Sequence, residues 1–220
     1  MSQTTLLPHH GAPQPAANRA YPSSANLSDA LGKLGRKFQT LHHRIKTVSH
    51  VPVWGPAYTV QCYPGATYAV EEAIEKALPG DVLVINGEGF LGAVLMGGLM
   101  SSRARQRKLA GAVIDGAVRD TEELLKNRWP IYAAGVTPRA GTFAKIGDLN
   151  VPVTCGDVVI QPGDMIAGDA DGVVAIPFAI LDKTLEAAWE IERKEAFVAA
   201  AIENGLSLSQ AVQEYTSQMA

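Results

Sequence analysis

Two short apolar runs, "DVLVING" from Asp81 and "AGAVID" from Ala110, most constrain what this chain can fold into. Each is almost unbroken in aliphatic character and bounded by turn residues, and a stretch long enough for a helix separates them. A strand that is apolar at nearly every position must be covered on both faces. Helices packed on a parallel sheet give that cover, so the alternation of strand and helix through the middle of the chain predicts an α/β core.

Caps, periods and stops extend this outward. "NLSDALGKLG" offers Ser28 as N-cap, Ala30, Leu31 and Leu34 as an apolar stripe and Gly35 as a stop, which reads as a short helix. "VWGPAYTVQCY" is strand-like, and "TYAVEEAIEKALPGD" gives a second helix with Val70, Ile74 and Leu78 facing inward. A Gly-rich loop follows "DVLVING"; Leu91 to Leu109 then reads as a helix, and "DTEELLKNR" as the next one. From Pro130 the pattern changes to short strands between turns, "IYAAGV", "VPVTC", "DVVIQPGD", "MIAG" and "GVVAIP", which adds a β-rich layer. Phe178 to Gly205 forms a long charged helix, and "SLSQAVQEY" a final short one. "PGD" occurs twice, each time before a strand, and is read as turn chemistry. The chain divides into a flexible N-terminal arm over 1–22, a single-domain core over 23–178 and a C-terminal helical extension over 179–220.

Several function classes are disfavoured. No run approaches the roughly 18 apolar residues of a membrane span. A net charge of -3 gives no basic field for nucleic acid, and Arg103, Arg105, Arg107 and Lys108 read as a solvated helix face. The N-terminus has no leader pattern, so a cytoplasmic location is expected. Cys62 and Cys155 lack CxxC partners and read as buried thiols. All five histidines lie at or before His50, which argues against a Ser-His-Asp centre, and His9-His10 and His42-His43 lack the i, i+4 spacing of a helical metal site. Chemistry must come from carboxylates, arginine, lysine, backbone N–H groups or a bound ion.

"GAVIDGAVRD" concentrates such groups. The strand is expected to end at Ile114-Asp115, Gly116 to permit a tight turn, and Arg119 and Asp120 to emerge at the carboxyl end, where α/β folds build ligand sites. Two readings compete. Asp120 followed by Glu123 is a capping box for the helix after it, with Arg119 neutralising a nearby carboxylate. Alternatively, Asp120 is a hard oxygen ligand for a magnesium-type ion and Arg119 a planar fork for a carboxylate or enolate oxygen. In "GEGFLGAVLMGGLM", Gly92, Gly97 and Gly98 either allow tight helix packing or leave room for an anion at a helix start, near the N–H groups of Leu99 and Met100.

Taken in order, "LSDALGKLG", "GPAYTV", "PGDVLVI", "GAVIDGAVRD", "WPIYAAGVTPRAG", "LNVPVTCGDVVIQPGD" and "GDADGVVAIP" resemble the RraA-like proteins, which include class II pyruvate aldolases acting on 4-hydroxy-4-methyl-2-oxoglutarate and 4-carboxy-4-hydroxy-2-oxoadipate. The similarity runs from about Asn26 to Tyr215. It implies a swivelling β/β/α-type α/β domain with a C-terminal helical extension, assembled as a homotrimer or a pair of trimers, with sites between subunits. It also implies a divalent cofactor, Mg²⁺, Mn²⁺ or another divalent cation, and a 2-oxo acid substrate. Arg119 matches the arginine that binds the pyruvyl group and stabilises its enolate, Asp120 the direct metal ligand, and Gly97, Gly98, Leu99 and Met100 the loop that receives the keto acid's carboxylate. Glu195, in "ERKEAF", matches a glutamate supplied by the neighbouring subunit. One position departs: the aldolases carry an acidic residue twenty-one positions before the arginine, and Gly98 stands there. Glu88 substitutes only if its loop folds back. The resemblance implies a carbon-carbon lyase, an aldolase with oxaloacetate decarboxylase activity. The alternatives are a lyase of the same fold with another substrate and a non-catalytic regulator of the ribonuclease-inhibitor type; the loop from Thr137 to Lys145 carries no diagnostic pattern.

Overall fold

The computed structural model describes residues 21–219, so all but the last two residues of the expected arm, with His9 and His10, lie outside the described residues. In chain order the elements are α1 (Ser24–Lys33), β1 (Lys46–Thr47), β2 (Val53–Gln61), α2 (Tyr68–Lys76), β3 (Val82–Met96), α3 (Gly98–Gln106), β4 (Gly111–Val118), α4 (Thr121–Asn127) and β5 (Ile131–Val136). There follow β6 (Asp148–Leu149), β7 (Val153–Cys155), β8 (Val158–Ile160), β9 (Met165–Gly168), β10 (Val173–Ile176), a 3₁₀ turn (Phe178–Ile180), α5 (Leu181–Glu203) and α6 (Leu208–Met219). One sheet runs β1-β5-β4-β3-β2-β9-β10, with β6 on β2, and β7-β8 form a separate ribbon. Neighbours from β2 to β5 pair in parallel, and β1, β6, β9 and β10 join antiparallel.

The apolar runs from Asp81 and Ala110 lie in β3 and β4, and their alternating side chains serve opposite layers. Leu83, Ile85 and Ile114 pack with Val70 and Ile74 of α2, Ala104 of α3 and Leu124 of α4. Val82, Val84 and Val113 pack on the other side with Val153, Cys155, Val158 and Ile160 of the ribbon. Each fully buried aliphatic side chain contributes about 1.5–3 kcal/mol. A third cluster seats α1 and the first half of α5 on β9 and β10 through Leu27, Leu31, Ile176, Leu185 and Ala188. The expected α/β single domain with C-terminal helices is thus the observed architecture.

Five local expectations are corrected. The run from Leu91 to Leu109 is not one helix: β3 continues to Met96 and α3 starts only at Gly98. The Gly-rich stretch is an excursion within β3, for Asn86 faces Asp115 and Met96 faces Val118, with the register shifted repeatedly between them. Likewise β4 does not stop at Asp115 but runs through Gly116 to Val118, every residue buried. The α1 N-cap is Ser23, whose hydroxyl accepts from Asn26 N at 3.1 Å, rather than Ser28. Leu78 is 50% exposed because α2 has already ended.

Both "PGD" turns are built alike. Asp81 Oδ2 accepts from Leu78 N and Asp164 Oδ2 from Gln161 N, each at 2.8 Å, around Gly80 and Gly163 at positive φ. The basic run is more than a solvated face. Arg103 forks onto both oxygens of Glu75 at 2.7 and 2.8 Å, and Arg107 donates to the carbonyls of Ile74, Glu75 and Ala77, which caps α2.

Candidate functional site

The parallel strands β3 and β4 end side by side, and α3 and α4 begin there, so two helix N-termini converge at the carboxyl edge of the sheet. Arg119 N donates to Met96 O at 3.2 Å and ties the two strand ends together. Gly97 caps α3 with extended backbone. A Cβ there would lie 2.7 Å from Asp120 Oδ2 and 3.1 Å from Arg119 Cγ, so a glycine is what lets these two side chains lie across the strand end.

Asp120 stands at the N-cap position of α4 but does not cap it. Its backbone is left-handed, at φ 60 and ψ 41, and its side chain makes no capping bond. Instead Oδ2 accepts from Gly98 N at 2.9 Å, across to α3. Such a conformation costs a non-glycine residue about 1–3 kcal/mol and is held only by its surroundings. Glu123, the other half of the expected capping box, lies against Gly98, and its Oε1 is 3.5 Å from the Ser102 hydroxyl. The capping-box reading of Asp120 and Glu123 is therefore not realised.

Arg119 Nε lies 3.5 Å from Asp120 Oδ2, which is ion-pair distance, yet this buried atom has no hydrogen-bond partner. The two side chains are 41% and 42% exposed. They form a wall shared by two cavities. The larger, about 610 Å³, also touches Glu122, Glu123, Thr137 and Pro138. The smaller, about 250 Å³, also touches Gly97, Leu99, Met100, Ala140 and Gly141. Gly97, Leu99, Met100, Arg119 and Asp120 thus line the smaller cavity together. Gly98 differs: it binds Asp120 through its N–H and turns its open side to Glu123, away from the smaller cavity.

The donor set suits a hydrated cation. Among the described residues no three His, Cys, Asp or Glu side chains gather as ligands. One carboxylate is enough for a magnesium-type ion that keeps most of its waters. Asp120 has its second oxygen to offer, and the larger cavity sets Arg119 against Asp120, Glu122 and Glu123, a wall with excess negative charge. On the other side, the first turn of α3 presents the N–H groups of Leu99 and Met100, which the helix itself does not use.

Glu195 is exposed on α5 and Glu88 is exposed in the β3 excursion at φ 58; neither lines either cavity. Thr137, Pro138, Ala140 and Gly141 do, so a loop without any sequence pattern builds walls of both. Sequence reasoning also missed Arg44. It grips Asp115 on β4 through Nε at 3.0 Å and Nη2 at 2.8 Å, while Gly156 N donates to the same carboxylate at 2.9 Å. The available signal was an aspartate inside an otherwise apolar buried strand, which demands a cation.

Comparison with known proteins identifies the family. The family model of the RraA-like proteins (Aldolase/RraA) matches residues 24–175. A Halalkalibacterium halodurans protein named "Putative 4-hydroxy-4-methyl-2-oxoglutarate aldolase" is 41% identical over 152 residues, which are 69% of this chain and 70% of that protein. An uncharacterized Pseudomonas syringae protein of known structure superimposes with a TM-score of 0.81 at 28% identity, over 88% of this chain and 90% of its own. The RNA-processing inhibitor RraA from Thermus thermophilis superimposes with a TM-score of 0.62 at 29% identity, over 68% of this chain and 92% of its own. The chain belongs to the RraA-like family.

Proposed function

We propose that this chain is a divalent-cation-dependent lyase that cleaves a C–C bond next to a pyruvyl unit, either in a 4-hydroxy-2-oxo acid such as 4-hydroxy-4-methyl-2-oxoglutarate or in oxaloacetate. The observation that carries the reading is the refusal of Asp120 to cap α4: a strained residue turns its carboxylate beside an arginine with an unpartnered Nε, on a wall shared by two cavities. Strain of this kind concentrates where function requires it.

Asp120 holds the ion, Mg²⁺ or Mn²⁺, which when bound polarises the 2-oxo group. The N–H groups of Leu99 and Met100 receive the substrate carboxylate, and Arg119 donates to the 2-oxo oxygen. As the C3–C4 bond breaks, its electron pair forms the C2–C3 double bond and negative charge grows on the 2-oxo oxygen. Arg119 stabilises the resulting enolate more than the ketone, so it lowers the barrier rather than merely binding. The C4 hydroxyl proton of a 4-hydroxy acid passes to water in the cavity, oxaloacetate instead releases CO₂, and a proton from water returns to C3 to give pyruvate. The departing portion occupies the larger cavity, between Glu122 and Thr137. The exposed apolar side chains beside the site, Leu99 at 85% and Val136 at 58%, suit cover by a second copy, in a homotrimer or a pair of trimers. In that assembly the extension over 179–220 reaches a neighbour and brings Glu195 to its site.

The test is pyruvate release from oxaloacetate and from 4-hydroxy-4-methyl-2-oxoglutarate with Mg²⁺ or Mn²⁺, then with chelator, for the native protein and Arg119→Ala. Cation-dependent release that falls at least about 100-fold in the variant supports the reading. No release above the metal-only background from either substrate overturns it and favours the protein-binding role of a ribonuclease regulator.

A further inference from the structure

Glu123 occupies the space that a side chain at position 98 would need. A Cβ built on Gly98 would fall 2.5 Å from Glu123 Cδ and 3.1 Å from Oε1, with Oε2 nearer still, and these three atoms are its nearest neighbours. The same Gly98 donates its N–H to Asp120 Oδ2, so two carboxylates from the N-cap and first turn of α4 converge on a single glycine of α3. Glu123 has no ion pair among the described residues, and its hydrogen bond to Ser102 is long, at 3.5 Å. With Arg119 and Asp120 it lines the larger cavity.

We propose that Glu123 is a positioning residue of this site: it supplies from α4 the second carboxylate that a side chain at position 98 would otherwise provide, and Gly98 is the vacancy that admits it. The inference rests on the lyase reading of Asp120 and Arg119. A hydrated divalent cation on one aspartate keeps waters that need acceptors, and a nearby carboxylate orients them and adds attraction without direct ligation. Glu88, which substitutes only if its loop folds back, lines neither cavity, whereas Glu123 lines the larger one.

The arrangement makes a relocation experiment decisive. Gly98 does not require a left-handed backbone, and the closest obstacles to a side chain there all belong to Glu123. Full-length protein is titrated with Mn²⁺ and the bound ion is read by electron paramagnetic resonance, for wild type, Glu123→Gln, Glu123→Ala, Gly98→Asp with Glu123→Ala, and Asp120→Asn; circular dichroism checks folding. Mn²⁺ affinity is expected to fall about 10- to 100-fold in both Glu123 variants. It should recover to within a few-fold of wild type when Gly98→Asp returns a carboxylate from the other helix, which a structural role for Glu123 would not produce.

If Glu123→Gln binds Mn²⁺ within twofold of wild type while Asp120→Asn does not bind, the lyase site stands and this inference is overturned. A double variant no better than Glu123→Ala also overturns it. Loss of binding in neither Asp120→Asn nor Glu123→Gln, or no binding by wild type, removes the reading beneath it as well.

Discussion

Asp115→Ala tests how the carboxyl end of β4 is held. Asp115 is 3% exposed and accepts three hydrogen bonds, two from Arg44 and one from Gly156 N. These join the ribbon and the segment before β1 to a strand that delivers Arg119 four residues later. Removing one member of a buried ion pair costs about 3–5 kcal/mol, because the other charge stays behind unpaired. Here Arg44 is 31% exposed along its side chain and keeps a second carboxylate, Asp157, at 2.8 Å, which lowers the expectation to about 2–3 kcal/mol. In a domain of this size that corresponds to roughly 4–12 °C in Tm. Asp157, 63% exposed, should cost under about 1 kcal/mol when truncated, although it binds the same guanidinium. The assay is urea unfolding at fixed protomer concentration, so that assembly does not enter the comparison. Arg44→Ala with Asp115→Ala should cost less than the sum of the single changes by more than about 1 kcal/mol, since the double variant strands no buried charge and leaves only the exposed Asp157 unpaired. Additive losses, or an Asp115→Ala loss no larger than that of Asp157→Ala, would refute the burial argument.

Two further outcomes are expected. Burial pushes the Asp169 carboxyl up, but hydrogen bonds from the Ser24 hydroxyl at 2.6 Å, from Ser24 N at 2.8 Å and from the backbone of Asp171 and Gly172 outweigh it and hold the group below its ordinary value. A depressed pKa stabilises the fold above the unfolded value of about 4 and loses that contribution as the pH falls through the folded one. Asp169→Asn should therefore cost about 1–2 kcal/mol at pH 7 in thermal unfolding, with the gap to wild type closing in acid. A gap that is unchanged at pH 3 contradicts the linkage. Burial also pushes the Cys62 thiol up to about 12 and raises Cys155, so a thiol-specific disulfide reagent should find neither thiol in native protein and both after denaturation. Rapid reaction of either thiol in the folded state would show the core to be open.

The core was legible because it is local and repetitive. Val82 to Ile85 and Ala112 to Ile114 are apolar at every position, and only a strand between two layers uses such a run. "LGAVLM" was misread as helix for the same reason: a short apolar run has no period of its own, and only the pairing of Val94 and Met96 with β4 decides it. The candidate site divides similarly. Arg119 and Asp120 could be placed at a strand end from sequence. What Asp120 and Glu123 do could not, because the capping box is written in neighbouring residues, while Gly98, twenty-two positions upstream, decides against it. Arg44 and Asp115 are farther apart still, with |i−j| of 71, and no pattern within either segment joins them.

Under the proposed function, Arg119 and Asp120 together generate and hold a pyruvate enolate. Enolate formation can be observed without knowing the natural substrate, by following exchange of the pyruvate methyl protons with D₂O by proton NMR in the presence of Mg²⁺ or Mn²⁺. Cation-dependent exchange is expected that stops on chelation and falls at least about 100-fold in both Arg119→Ala and Asp120→Asn. Exchange no faster than with the free ion, or exchange that survives both substitutions, would contradict it.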